Sequence, residues 1–448
     1  MTATTVVNDE PDRSLSDAEA ALADSRQRLR VGWSAFLGTA IEYYDFTLYG
    51  IFGPIYFSKL FFPLSDPGVA IISVLAVYAA GFLARPIGGI VFSHFGDRLG
   101  RKPVMIISMA TMGLASTAIG LLPTYHMVGI WAPLLLVTLR IVQGFALGGE
   151  SAGANVLATE VGRQGQRGFF SSLTTNGIFA AWIVALIASQ LVNLLPPERA
   201  LAWGWRVPFL FSFALVLLGL WMRLKIEESA VFLAAVRQKR PARVPFLEVL
   251  KLARKEMLIV IFAGAAESSN GFFFLVFGFT YALTKLHIPV GTLLMALLIG
   301  NLMSLPITPL AGMLCDRAGR RLVLGGTYLV SALYVATLFF PLLKSGNTAL
   351  IYLAMIFPVG LLAPLTMGVI ATFYSEQFKD ARLRYSGVGF GRGLGTSLGG
   401  GLMPLIATSL MSITGGSVIG PIAWFAAVMI GAVISIAIAR ETKDDLLH

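Results

Sequence analysis

Apolar residues run through this chain in blocks of about 20, the length a helix needs to cross a bilayer, and polar turns separate them. Twelve blocks are legible: 31–58, 69–95, 104–122, 131–157, 168–195, 205–224, 257–284, 291–314, 322–342, 348–376, 384–411 and 418–439. The longest polar interruption between them, 225–256, carries Arg237, Lys239, Arg240, Arg243, Lys251, Arg254 and Lys255 and divides six helices from six. The pattern predicts an all-α membrane protein of twelve transmembrane helices in two six-helix bundles, 31–224 and 257–440. A polar tail (1–30) precedes them, 225–256 links them and 441–448 follows as a second tail.

A short polar run supports the division. Gly96-Asp97-Arg98-Leu99-Gly100-Arg101-Lys102 follows the second helix, and Cys315-Asp316-Arg317-Ala318-Gly319-Arg320-Arg321 stands in the matching place after the eighth. Asp97 and Asp316 lie 219 residues apart in a chain of 448, so the repeat unit is half the sequence, the scale of a six-helix transporter half. Function is expected between the halves.

Composition then narrows the class. At 56% hydrophobic, 13% charged and a mean hydropathy of +0.77, the chain has more apolar surface than one water-soluble core could bury. A net charge of +10 would point to nucleic acid in a soluble protein. Here most basic residues gather in the termini and even-numbered loops, with Lys59, Arg199, Arg206, Lys285 and Lys344 on the opposite side. That asymmetry predicts a multi-pass protein of the plasma (inner) membrane, both termini cytoplasmic, with lipid and not nucleic acid around it. The single cysteine, Cys315, excludes a disulfide framework. Phosphate-binding loops, metal-binding histidine or cysteine clusters and a nucleophile elbow are absent from the sequence, and His94, His126, His287 and His448 are scattered. No enzyme and no cofactor is expected, and transport would draw on an ion gradient with the proton as coupling ion.

The motifs resemble a family. The two Asp-Arg-x-Gly-Arg-(Lys/Arg) loops look like the signature loop of the major facilitator superfamily, and Arg140-Ile141-Val142-Gln143-Gly144 resembles its fourth-helix motif. Glu42-Tyr43-Tyr44-Asp45-Phe46, Arg85-Pro86-Ile87-Gly88-Gly89, Gly148-Gly149-Glu150, Trp203-Gly204-Trp205-Arg206-Val207-Pro208-Phe209 and Arg384-Tyr385-Ser386-Gly387 resemble its metabolite:proton symporter branch. That branch includes shikimate, 2-oxoglutarate, citrate and proline betaine transporters, and the resemblance implies a bacterial origin. Ser93 departs from the glycine that usually opens the first loop, and Tyr43 from the more usual tryptophan. The resemblance implies the major facilitator fold, and it implies that Asp97 and Asp316 cap helices of the neighbouring half and release them when the inside opens.

Ionisable side chains in hydrocarbon cost several kcal/mol unless paired or wetted, so each is a functional candidate. Glu42, Asp45, Arg85, Arg140, Glu150, Glu267 and Arg392 lie inside predicted helices, three cations against four anions, which one proton would neutralise. Glu42 and Asp45 share a helix face, where neighbouring carboxylates resist joint ionisation, so the pair is a proton-coupling candidate. The structural alternative pairs them with Arg85 or Arg140. Arg140, near the midplane, suits a substrate carboxylate through its two-pronged guanidinium, with Gln143 one turn on. Arg85 shares both readings, and Pro86 predicts a kink beside it. Tyr43, Tyr44, Glu267 and Asn270 complete the substrate-binding candidates. Gating is assigned to Asp97, Arg98, Arg101, Glu150, Asp316, Arg317, Arg320 and Arg392. Gly387, Gly391, Gly395 and Gly399 form a small-residue ridge for close helix packing, and Phe272, Phe273 and Phe274 are expected in core or lipid contact.

The expectation is a monomeric symporter importing a small organic acid with protons. A zwitterionic osmolyte such as a betaine is the nearest alternative, then a drug antiporter, then a sensor that binds without translocating.

Overall fold

The computed structural model describes residues 36–99, 101–148, 165–224, 252–378 and 381–443. Helix dominates, and no strand occurs among the described residues. Twelve long helical segments follow one another: α1 (36–61), α2 (Pro67–Leu99), α3 (Arg101–Leu121), α4 (Trp131–Leu147), α5 (Arg167–Asn193), α6 (Arg206–Leu224), α7 (Arg254–Thr284), α8 (Val290–Ala318), α9 (Arg320–Lys344), α10 (Thr348–Gln377), α11 (381–413) and α12 (Ile419–Ile438). Nine are individually long and apolar enough to cross a bilayer, and α6 joins them when taken with the short bent segment Pro197–Gly204 before it. Most of the expected linker, and the part of the fourth helix beyond 148, lie outside the described residues.

The predicted helix ends hold to within a few residues because bilayer thickness sets span length on both accounts. They miss at the signature loop. The eighth helix was expected to stop at 314, but α8 runs on to Ala318 and only Gly319 separates it from α9. Gly319 adopts φ 96°, a left-handed conformation that glycine reaches without steric cost. The basic "loop" is therefore the last turn of one helix and the first of the next.

Glycine also sets how closely helices approach. A Cβ on Gly144 would stand 1.7 Å from the Gly81 carbonyl oxygen, and one on Gly148 would stand 2.1 Å from that of Arg85. Thus α2 and α4 touch backbone to backbone, which brings Arg85 and Arg140 into one layer. The predicted ridge on α11 behaves likewise: Gly391, Gly395 and Gly399 meet Val260, Ile261 and Ala265 of α7. Pro86 lies inside α2, which stays helical through it.

The two halves meet along two seams, α5 against α8 and α2 against α11. Gly168 and Gly312 mark one end of the first seam, and Asn193 and Gly291 the other. In the second, the Ser397 hydroxyl donates to the Phe82 carbonyl at 2.6 Å. Phe272 is buried between the halves, touching Tyr78, Phe82 and Trp182, while Phe273 and Phe274 pack on Phe339 and Phe425. All three are core residues.

Candidate functional site

Three polar clusters occupy the buried interior, and α1 contributes to the first. Asp45 is 2% exposed. Ser212 of α6 donates to its Oδ1 and Ser116 of α3 to its Oδ2. The Gln143 amide donates to the Ser116 oxygen at 2.6 Å, and Arg140 Nη1 donates to Gln143 Oε1. Arg140 therefore reaches Asp45 through two intervening side chains and forms no direct ion pair with a carboxylate among the described residues. Of the direct pairings left open by the sequence, the one between Asp45 and Arg140 is not built.

Both arginines lie on aromatic faces. Arg140 Cζ is 4.2 Å from the Phe46 ring centre and 4.3 Å from that of Tyr49. Arg85 Cζ is 4.2 Å from Phe46, 3.8 Å from Phe82 and 5.8 Å from Tyr43. Phe46 thus holds two guanidiniums at once, a contact worth about 2 kcal/mol or more where water is excluded. On each arginine, Nε and Nη2 are buried and have no acceptor among the described residues. Buried charged donors left unpaired cost more than the 1–3 kcal/mol of a neutral group.

The second cluster lies on α7. Glu267 pairs with Arg392 at 3.7 Å and accepts a hydrogen bond from the Tyr374 hydroxyl at 3.2 Å. Asn270 donates to Thr366 at 3.1 Å, leaving its own oxygen without a donor. The Tyr43 hydroxyl feels Arg392 and Glu267 from one half and Arg85 and Glu42 from the other, so Tyr43 stands at the junction of the halves. Glu42, 4% exposed, also acts on Arg85 and Arg392. Tyr44 points elsewhere: its hydroxyl donates to the Pro208 carbonyl at 3.0 Å and its ring meets Phe211 edge-on, inside the first half. Adjacent residues on a helix face different ways, and Tyr44 is a wedge between α1 and α6 rather than a wall shared with α7.

The third cluster lies at the signature-loop end. Asp316 accepts from the backbone N–H groups of Gly168 (3.0 Å) and Phe169 (3.2 Å), capping α5 from the other half of the molecule. It also pairs with Arg320 at 3.1 Å, and Arg320 places its fork on Glu376 at 2.9 and 3.0 Å. Arg167 reaches Glu376 from α5 at 3.5 Å, and Thr442 donates to the same carboxylate at 2.6 Å. Glu441 receives the Arg320 and Arg321 N–H groups, both at 3.0 Å. Within the expected tail 441–448, Thr442 is fully buried, and Glu441, itself exposed, accepts from the first N–H groups of α9. Arg317 is exposed. The side chains of Asp97, Arg98 and Arg101, and all of Glu150, lie outside the described residues.

Ser116, Ser212, Arg167, Glu376 and Glu441 are the contributors that sequence reasoning missed. Two of them are acids and one a base at or near helix ends, where a charge reads as ordinary surface, and a serine inside an apolar helix gives no signal at all.

The region 35–400 matches the model of the Major Facilitator Superfamily. This chain belongs to the major facilitator superfamily. As a member of it, the chain is a multi-pass membrane transporter of metabolites and not an enzyme. It is 36% identical over 424 residues to the shikimate transporter of Escherichia coli, covering 92% of this chain and 93% of that one. It is 34% identical to the inner membrane metabolite transport protein YhjE of the same organism, over 96% and 98% of the two chains. The glycine betaine/proline/ectoine/pipecolic acid transporter OusA of Dickeya dadantii is 33% identical over 84% of this chain and 76% of its own. Among solved structures, the proton:xylose symporter XylE superposes with a TM-score of 0.73 over 95% of this chain and 98% of its own, at 15% identity, a likeness of fold.

Proposed function

We propose that this transporter is a proton-coupled symporter that imports a small organic acid by alternating access, with Arg85 and Arg140 as the carboxylate site and Asp45 as the proton site. The observation that carries the reading is the pair of guanidiniums sharing Phe46, each with two buried donor nitrogens lacking an acceptor among the described residues. A carboxylate offers four lone-pair sites in a plane and fits such donors. Gln143 and Tyr43 flank that site from α4 and α1, while Glu267, Asn270 and Arg392 face it from the second half. The basic-residue asymmetry supports cytoplasmic termini, and the similarity to the bacterial shikimate transporter supports an acid as cargo.

The betaine-type reading rests on relatives such as OusA. A quaternary ammonium needs open aromatic faces, and those of Phe46 and Phe82 already carry the protein's own cations. The acid is therefore favoured.

Proteoliposomes offered labelled shikimate, 2-oxoglutarate, citrate, benzoate and proline betaine, with and without an inward proton gradient, test the proposal. Gradient-driven accumulation of one acid is expected, with Arg140→Lys lowering it at least tenfold because an ammonium cannot present the fork. Accumulation that ignores the gradient would refute the coupling, and uptake of the betaine alone would refute the substrate class.

A further inference from the structure

The structure joins the proton site to the substrate arginine through side chains of α3 and α4, and we infer that Ser116 and Gln143 are the positioning residues that couple them. This rests on the assignment of Asp45 and Arg140 made above.

The direction of every bond in the route is fixed. Arginine can only donate, so the Gln143 oxygen must face Arg140 and its amide nitrogen must face Ser116. The Ser116 oxygen therefore accepts from Gln143, and its single O–H has two acceptors in reach: the Asp45 carboxylate and, at 3.0 Å, the Met112 carbonyl. With Asp45 ionised, the hydroxyl points to the carboxylate. When a proton binds Asp45, a new O–H bond forms on Oδ2, the carboxyl becomes neutral and turns from acceptor to donor. The Ser116 hydroxyl then rotates to Met112 with no bond of its own broken, and its oxygen receives two donors, Asp45 and the Gln143 amide. That oxygen has a lone pair for each, but its hydroxyl no longer donates to an anion and so accepts less strongly; the weaker hold on Gln143 relaxes Gln143's hold on Arg140 Nη1. At the same step Arg140 loses the nearest negative charge. Both changes free the guanidinium for the substrate carboxylate, so proton binding favours substrate binding and, by reciprocity, substrate favours the proton.

Few other groups intervene. From α4 the Arg140 charge and the Gln143 amide itself act on Asp45, with Arg85 of α2 acting on Arg140 in turn. On α1 itself Tyr44 and, one turn away, Glu42 are the titratable neighbours. From α3 and α6 only the hydroxyls of Ser116 and Ser212 reach the carboxylate. Ser212 is the internal control: it donates to Asp45 as Ser116 does, but among the described residues it connects to nothing beyond.

The experiment measures, in proteoliposomes, gradient-driven accumulation and gradient-free exchange of whichever acid of the panel the wild type takes up, and compares their ratio. Ser116→Ala and Gln143→Ala are each expected to lower that ratio at least tenfold, with Ser116→Thr restoring it to within threefold. Ser212→Ala slows both processes together and leaves the ratio within twofold. A ratio within twofold of wild type in Gln143→Ala overturns the inference, as does equal uncoupling by Ser212→Ala. If Ser116→Ala is inactive in both assays, the Gln143 and Ser116→Thr variants decide alone. A wild type that exchanges an acid without accumulating it condemns the symport reading instead, a result distinct from any of these.

Discussion

At Glu441 two forces compete. Burial opposes the charge, and the backbone N–H groups of Arg320, Arg321, Thr442 and Lys443 favour it; the donors prevail and hold the carboxyl below its ordinary value of 4.5. A group depressed on folding contributes stability that is present above the unfolded value and is lost as pH falls through the folded one. Glu441→Gln is therefore expected to destabilise the protein by about 1 kcal/mol, the worth of a helix cap, at neutral pH. The difference in melting temperature from wild type, read in detergent, should vanish as the pH drops well below 4.5. A gap that persists in acid would mean that packing, not charge, is what Glu441 supplies. Residues of this kind mark the limit of what the chain discloses in one dimension. Asp45 was legible because a carboxylate in an apolar run needs a reason, whereas its partners Ser116 and Ser212 lie 71 and 167 residues away and become partners only when the bundle is packed.

Among the helices, α2 and α4 show how an element's contact defines the site. Gly144→Ala would drive a methyl group against the Gly81 carbonyl, and overpacking of this sort costs about 1–3 kcal/mol. The expected outcome is a lowered melting temperature together with weakened substrate affinity, because separating the two backbones also separates Arg85 from Arg140. Loss of stability with unchanged affinity would place the arginines' spacing under other control. Helix positions were readable from the sequence since the bilayer fixes their length. The near-continuity of α8 into α9 was not, because a run of charges resembles a loop until one sees that Asp316, Arg320, Glu376 and Arg167 neutralise one another inside the fold.

For the molecule as a whole, the cluster around Arg320 ties α5 of the first half to α8 and α10 of the second. Cys315, the chain's single cysteine, is fully buried in that seam, with its Sγ 2.6 Å from where a Cβ on Gly168 would stand. It is a native reporter of separation. Asp316→Asn removes the anion that caps α5, and should raise the rate of N-ethylmaleimide labelling at Cys315 about tenfold; an unchanged rate would show the seam held by packing alone. The two-half plan was visible in the repeated motif, but which helices form the seams was not, because nothing in an apolar sequence says which of its faces meets protein and which meets lipid. Arg320 is 1% and Glu376 3% exposed. Mobile ions screen charges across water, over about 8 Å at physiological strength, and reach buried pairs far less. Potassium chloride added to the bath thus passes this clasp by, and its strength stays the same in a dilute medium and a briny one.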